Sequence, residues 1–286
     1  MKKYFVLGAA RWNLSQISLY RDLVSCLRDR GYETFIDTSI LYGESERVVP
    51  FVLSGQEGIV VNTKFGNAGV DKIDNNVIYA QFKQSKKSLS NLKVNTYFMH
   101  SIDPNRLTNS AMQLLLTLKD DCEIREIGFS GDNSYLKNAI EMQFFDSFMF
   151  SFNPLDMNNM KYVQGPDPES FYIKRCLASG VLKHPRYKAL RRQVARLLRE
   201  PWALKGHDYQ FRLQVLNKSL DKQLQLQDFV RFGNSFFPGA KRVFGVSSVK
   251  HLNQVISNDG VLDKERKQEL YENWSKFHDG SWGSIT

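Results

Sequence analysis

Little in the chain points to covalent or metal cross-linking. Its 286 residues include only three cysteines, Cys26, Cys122 and Cys176. An odd number without metal-ligand spacing argues against a disulfide framework or a zinc site and suits free thiols in a reducing cytoplasm. No apolar run approaches the roughly 20 residues needed to cross a bilayer, so no membrane-spanning helix is expected. The short run Tyr4–Ala10 behind Lys2 and Lys3 looks superficially like a signal peptide. Arg11, Trp12 and Asn13 cut it off, and it reads as a first strand. No Gly-x-Gly-x-x-Gly follows that strand, which argues against the pyrophosphate turn of an open doubly wound sheet. Also missing are an RNA-binding aromatic motif and a basic tail. The net charge of +9 allows an anionic surface or an anionic small molecule as partner, with nucleic acid the minor alternative.

What is present is a globular composition, 42% hydrophobic and 24% charged, arranged as strand and helix in alternation. Tyr20, Leu23, Val24 and Leu27 recur at helical spacing ahead of Gly31, and the strand Glu33–Asp37 follows. Glu44 to Leu53 reads as a helix that Pro50 should kink or end. Gly58–Lys64 is an apolar strand, and Ile78, Phe82 and Leu89 mark a helix. Val94–His100 reads as the third barrel strand, and Ser110 suits the N-cap of the helix carrying Leu114, Leu115 and Leu118. Ile124–Ser130 is strand four, Ser147–Phe152 strand five and Phe171–Lys174 strand six. The seventh is expected before or around Leu220–Phe232, and Arg242–Val246 is the eighth. Leu270, Trp274 and Phe277 mark a final helix. Short connections between alternating elements predict an α/β fold, a (β/α)8 TIM barrel in a single domain over 1–286. A basic helical insertion is expected around 183–222, where Lys188, Arg191, Arg192, Arg196 and Arg199 surround an apolar stripe.

The chemistry gathers at strand ends. Asp37 closes an apolar strand, Tyr42 follows five positions later beside Gly43, Lys64 ends the next strand, and His100 ends another. A tyrosine is a poor acid, with a reference pKa of about 10, and a lysine held against its hydroxyl favours the phenolate. The C-terminal ends of barrel strands are where such residues act.

The run Phe35–Glu46, the Thr63-Lys64 pair and the strand ending in His100 together resemble the aldo-keto reductase family. Ile124–Ser130, Phe152-Asn153-Pro154-Leu155 and Gly245–Leu252 resemble its further motifs. The resemblance implies a cytoplasmic enzyme that reduces a small-molecule carbonyl with hydride from NADPH or alternatively NADH; the basic segment suits either a sugar-derived or anionic substrate or a solvated helix face. It implies that Tyr42 donates the proton, Lys64 raises its acidity, Asp37 pairs with Lys64, and His100 hydrogen-bonds the carbonyl oxygen. It places cofactor contacts at Asp37, Ser130, Gly245, Ser247, Ser248, Lys250, His251 and Gln254, with no metal. Taken alone, Ser247 and Ser248 suit a phosphate turn or a helix cap equally well.

The chain departs from the family where the nicotinamide amide is ordinarily held, with Gly131 for Asn and Met149 for Gln. The aromatic that stacks on the ring is missing from Ile173–Leu177. His251 replaces a common Arg, and Val255 replaces an Asn. A nucleotide-binding sensor or interaction subunit on the same barrel is the alternative reading.

Overall fold

The computed structural model describes residues 3–66, 71–183 and 203–278. Two compact units are distinguished. One comprises Met1–Phe150, Asn159–Lys174 and Gly239–Gln254, and the other comprises Ser151–Asn158, Arg175–Pro238 and Val255–Thr286.

The first unit is built on a closed barrel with strand order β1 to β8. The strands are β1 Tyr4–Gly8, β2 Glu33–Asp37, β3 Val60–Phe65, β4 Val94–His100, β5 Ile124–Ser130, β6 Ser147–Ser151, β7 Phe171–Lys174 and β8 Lys241–Phe244. Pairing is parallel, from Tyr4 opposite Glu33 to Gly8 opposite Asp37, and Val6 opposite Val243 closes the ring. The strands read as continuous apolar runs because the barrel interior covers one face and helices the other. Val6, Phe35, Phe98, Met149 and Tyr172 form the interior cluster. Residues of opposite parity point outward, as Tyr97 does toward Phe82 of the helix Asn75–Ser88, with ring centroids 5.3 Å apart.

One irregularity matters for the site. The β3–β4 register shifts between Val61, opposite Val94, and Thr63, opposite Tyr97. Asn62 Oδ1 takes up the Thr96 N–H at 3.2 Å within the shifted stretch. The shift sets Lys64 beside the inward Phe98, whereas an unshifted register would set it beside the outward Tyr97.

Local chemistry accounts for the helices. Ile17–Arg28 buries the expected stripe Tyr20, Leu23, Val24 and Leu27, and Gly31 leaves it at φ +73°. Asp74 caps the helix Asn75–Ser88 by accepting from the Val77 N–H at 2.9 Å. Among the described residues no helix is long and apolar enough to cross a membrane.

Four expectations need correction. Tyr4–Gly8 is itself a barrel strand, so the strands expected as third to sixth become β4 to β7, while the eighth keeps its place. The expected seventh strand near Leu220–Phe232 is a helix, Leu226–Phe236, because Phe229, Val230 and Phe232 are buried at helical spacing. Its first turn is fixed by Asp228, which accepts from the Gln225 N–H at 2.7 Å. Pro50 does not end its helix, which runs from Ser45 to Leu53. The N-cap of the helix Asn109–Asp120 is Thr108, whose hydroxyl accepts from the Ala111 N–H, rather than Ser110. The helix expected over Pro185–Arg199, and with it much of the basic insertion, lies outside the described residues.

The second unit contains the helices Ala203–Ser219, Leu226–Phe236 and Lys264–His278. Phe152 meets Phe232, Phe236 and Phe237 at 5.0, 5.6 and 4.9 Å between ring centroids. Arg266 bonds both Asp228 oxygens at 3.1 and 3.0 Å, and Glu269 at 2.7 Å.

Gly128 on β5 tests how tightly the barrel is filled. A Cβ there would overlap the Phe98 ring and lie 2.6 Å from Thr96 Cγ2. Gly128→Ala is expected to cost about 1–3 kcal/mol, read as a lower urea midpoint with an unchanged slope.

Candidate active site

Asp37, Lys64 and His100 sit at the C-terminal ends of adjacent strands β2, β3 and β4. Inward parity explains their convergence. Asp37 and His100 lie two residues past the interior Phe35 and Phe98, so they occupy the next layer up. Lys64, 1% exposed, donates to Asp37 Oδ1 at 2.6 Å and to the Thr38 carbonyl at 2.7 Å.

The turn after β2 carries Tyr42. Thr38 N–H donates to the Asn62 carbonyl at 2.9 Å, and the Thr38 and Ser45 hydroxyls are 2.6 Å apart. Tyr42 N–H donates to the Ser39 carbonyl at 3.0 Å, and Gly43 at φ +57° turns the chain into the following helix. Glu46, in that helix's first turn, accepts from Thr63 Oγ1 at 2.5 Å and ties the helix to β3. The result is a half-buried Tyr42 whose ring centroid is 4.7 Å from Lys64 Nζ. Its ring stands edge-on to His100 at 5.6 Å. The structure brings all four candidate catalytic residues together.

Electrostatics divides their roles. Burial works against the Lys64 ammonium, yet the charge of Asp37 and the bonds to Asp37 and Tyr42 leave its pKa above the ordinary value. Burial raises the Asp37 carboxyl above its usual range even though Lys64 pulls the other way. His100 is driven well below the imidazole value, first by burial and then by the positive charges of Lys64 and Lys174. At neutral pH it is a neutral ring, able to offer one N–H to an oxygen. Its Nδ1 is buried without a hydrogen-bond partner.

The candidate cofactor residues fall in two places. Ser130 ends β5 opposite His100, is buried, and accepts from the Ser101 N–H at its carbonyl at 2.6 Å. The others follow β8. Gly245 is open, with no atom within 4 Å of a Cβ built there, and Ser247, Lys250 and Gln254 are exposed. Ser248 Oγ accepts from the His251 N–H at 3.1 Å and so caps the helix Val249–Ser257. His251 is 6% exposed, beneath the turn. An open glycine turn with a hydroxyl and an ammonium at a helix N-terminus fits phosphate groups. The other end of the site fits a nicotinamide amide less well. Gly131 has the Phe129 ring 2.5 Å from where a Cβ would be, and Met149 belongs to the apolar cluster.

Lys174 went unassigned in the sequence. It ends β7 two residues past the interior Tyr172, and its ammonium lies 3.5 Å from Asp132. The available signal was a charge of inward parity at the C-terminal end of a barrel strand.

The structure thus gathers a Lys-Asp pair, a tyrosine and a neutral histidine at one end of a parallel barrel. The family model that matches is "Aldo/keto reductase family", over residues 5–170. The chain belongs to that family. Among solved structures it resembles an aldo-keto reductase of Bacillus halodurans in its holo form, at 18% identity and TM-score 0.71, covering 94% of this chain and 91% of that one. A glycerol dehydrogenase of Gluconobacter oxydans superposes at 18% identity and TM-score 0.68, covering 95% and 91%. No curated protein matches the chain.

His100 gives a stability test. With its folded pKa depressed, the unfolded chain binds the extra proton first, so stability is present above about pH 6.5 and is lost as pH falls from there through the folded value. His100→Gln is expected to flatten that part of the acid decline, measured as urea midpoint against pH; a decline identical to wild type would contradict it.

Proposed function

We propose that this chain is an NAD(P)H-dependent reductase that converts an aldehyde or ketone to an alcohol. The observation that carries the reading is the convergence of Asp37, Tyr42, Lys64 and His100 at the ends of β2, β3 and β4. When bound, the nicotinamide supplies a hydride to the carbonyl carbon.

The chain's residues then handle the charge that grows on the oxygen. Neutral His100 offers an N–H and fixes the approach of the carbonyl. Tyr42 gives its proton to the oxygen, and Lys64, kept charged by Asp37, stabilises the phenolate left behind. Ser247, Lys250 and the open backbone at Gly245 would hold the cofactor's phosphates, with Ser248 shaping the turn by its cap. Gln254 and His251 are assigned to the same nucleotide end, and Ser130 to the nicotinamide end. NADPH is the preferred form, since Lys250 can meet a 2′-phosphate, and NADH is the alternative.

A second reading, nucleotide binding with little turnover, draws support from Gly131 and Met149 in place of amide-holding residues. Tyr42→Phe separates the two. Under the reductase reading, turnover of an aldehyde falls about 10²–10⁴-fold, while nucleotide affinity, followed by cofactor fluorescence, stays within a few-fold. A variant keeping more than about half its activity would remove Tyr42 from the acid role. Nucleotide binding without turnover in the wild type would favour the sensor reading.

A further inference from the structure

We propose that Glu46 is a positioning residue for Tyr42, holding it against Lys64 through a hydrogen bond to Thr63. The proposal rests on the carbonyl-reduction reading above.

The first ground is where that bond begins and ends. Gly43 turns the chain from Tyr42 into the helix Ser45–Leu53, and Glu46 is the second residue of that helix. Thr63 immediately precedes Lys64 on β3. Side chains on a strand alternate, so Lys64 faces the barrel interior while Thr63 faces the helices. Thr63 Oγ1 donates to Glu46 Oε1 at 2.5 Å. One side-chain bond therefore joins the segment that carries the proton donor to the residue beside the ammonium. Both partners are buried, so bulk water does not compete for the bond.

The second ground is how the neighbouring groups are fixed. Lys64 is locked on Asp37 at 2.6 Å and on the Thr38 carbonyl at 2.7 Å, independently of Glu46. The turn that brings Tyr42 to it is more open, with Leu41, Gly43 and Glu44 exposed. On the β2 side the helix start is held by the Thr38 and Ser45 hydroxyls, 2.6 Å apart. Glu46 supplies the matching tie to β3. Without it the turn keeps its hold on β2 and loosens toward β3, where the Tyr42 ring centroid lies 4.7 Å from Lys64 Nζ.

The third ground is the burial of the carboxyl. An acidic side chain in a first turn favours a helix from the surface too, whereas burying it costs free energy. Burial raises the Glu46 carboxyl above its usual range, although the Thr63 and Ser85 hydroxyls and the charge of Lys64 favour the carboxylate. The packing beside it is firm. Tyr97, whose acidity is suppressed by burial and then by the charge of Glu46, has its ring 4.7 Å from Phe65 and 5.3 Å from Phe82. The carboxyl is thus a fixed acceptor for Thr63.

The test compares wild type with Thr63→Val and Thr63→Ala, which remove the donor with and without filling its space. Thr63→Ser and Glu46→Gln keep a donor and an acceptor. Two readouts are taken on protein that a urea midpoint shows to be folded. One is reduction of 4-formylbenzoate. The other is titration of Tyr42 by phenolate absorbance, isolated by difference against the same protein carrying Tyr42→Phe. Lys64 and His100 face Tyr42, and the Thr63 variants leave both in place. Thr63→Val and Thr63→Ala are expected to lower kcat about 10- to 100-fold and to move KM for the nucleotide less than about threefold. Tyr42 is expected to titrate at higher pH in both, because Lys64 supports its phenolate less. Thr63→Ser and Glu46→Gln are expected to restore most of kcat and the wild-type titration. If the wild type does not reduce the aldehyde, the reductase reading fails while the titrations still decide the role of Glu46. Folded Thr63 variants that are less stable yet titrate Tyr42 as wild type does would overturn the proposal and leave Glu46 as a structural tie. So would a Glu46→Gln protein that behaves like Thr63→Val.

Discussion

One buried ion pair orders the mouth of this barrel. Lys64 lies in an apolar interior where a bare ammonium would be prohibitively costly, and Asp37 at 2.6 Å with the Thr38 carbonyl at 2.7 Å makes it tolerable. Its third neighbour is Tyr42, whose turn is held to β2 and β3 through Thr38. The same charge helps keep His100 neutral. A buried pair adds little net stability over well-packed apolar residues of similar volume, while loss of one partner is costly, about 3–5 kcal/mol. Under the proposed function the pair is better explained by the proton donor Tyr42 than by the fold it occupies.

The two ends of the proposed cofactor site differ in how far they follow the family. After β8 the chain keeps an open glycine, two hydroxyls and a lysine at a helix N-terminus, with one hydroxyl spent as the cap. Beside β5 and β6 it does not. Phe129 fills the space next to Gly131, Met149 joins the barrel cluster, and polar character moves to Asp132, Asn159 and Lys174. In the proposed site, the end assigned to the nicotinamide thus carries charge in place of amide-holding groups.

Most of the barrel was legible in the sequence, because strands buried on both faces are short apolar runs between turn residues. Every strand of the structure corresponds to a run marked beforehand; the count failed because Tyr4–Gly8 was left out of the ring. That left a place to fill, and Leu220–Phe232 was chosen although Phe229, Val230 and Phe232 follow a helical period. Asp37, Tyr42, Lys64 and His100 could be read because each ends a strand or opens the turn after it. The register shift, which sets the inward Phe98 of β4 level with the inward Lys64, depends on a cross-strand pairing that no single segment records. Lys174 was missed for a different reason. It was read only as the last residue of the strand Phe171–Lys174, and only the inward packing of Tyr172 shows which way it faces.

Transfer of label to the carbonyl carbon tests the central claim most directly. NADPH carrying deuterium at the transferred position of its nicotinamide would be incubated with the protein and 4-formylbenzoate, and the product examined by NMR. The account expects deuterium on the carbinol carbon of the alcohol, in step with oxidation of the nucleotide. An alcohol formed without that label, or bound nucleotide that stays reduced and labelled beside unchanged aldehyde, would contradict it.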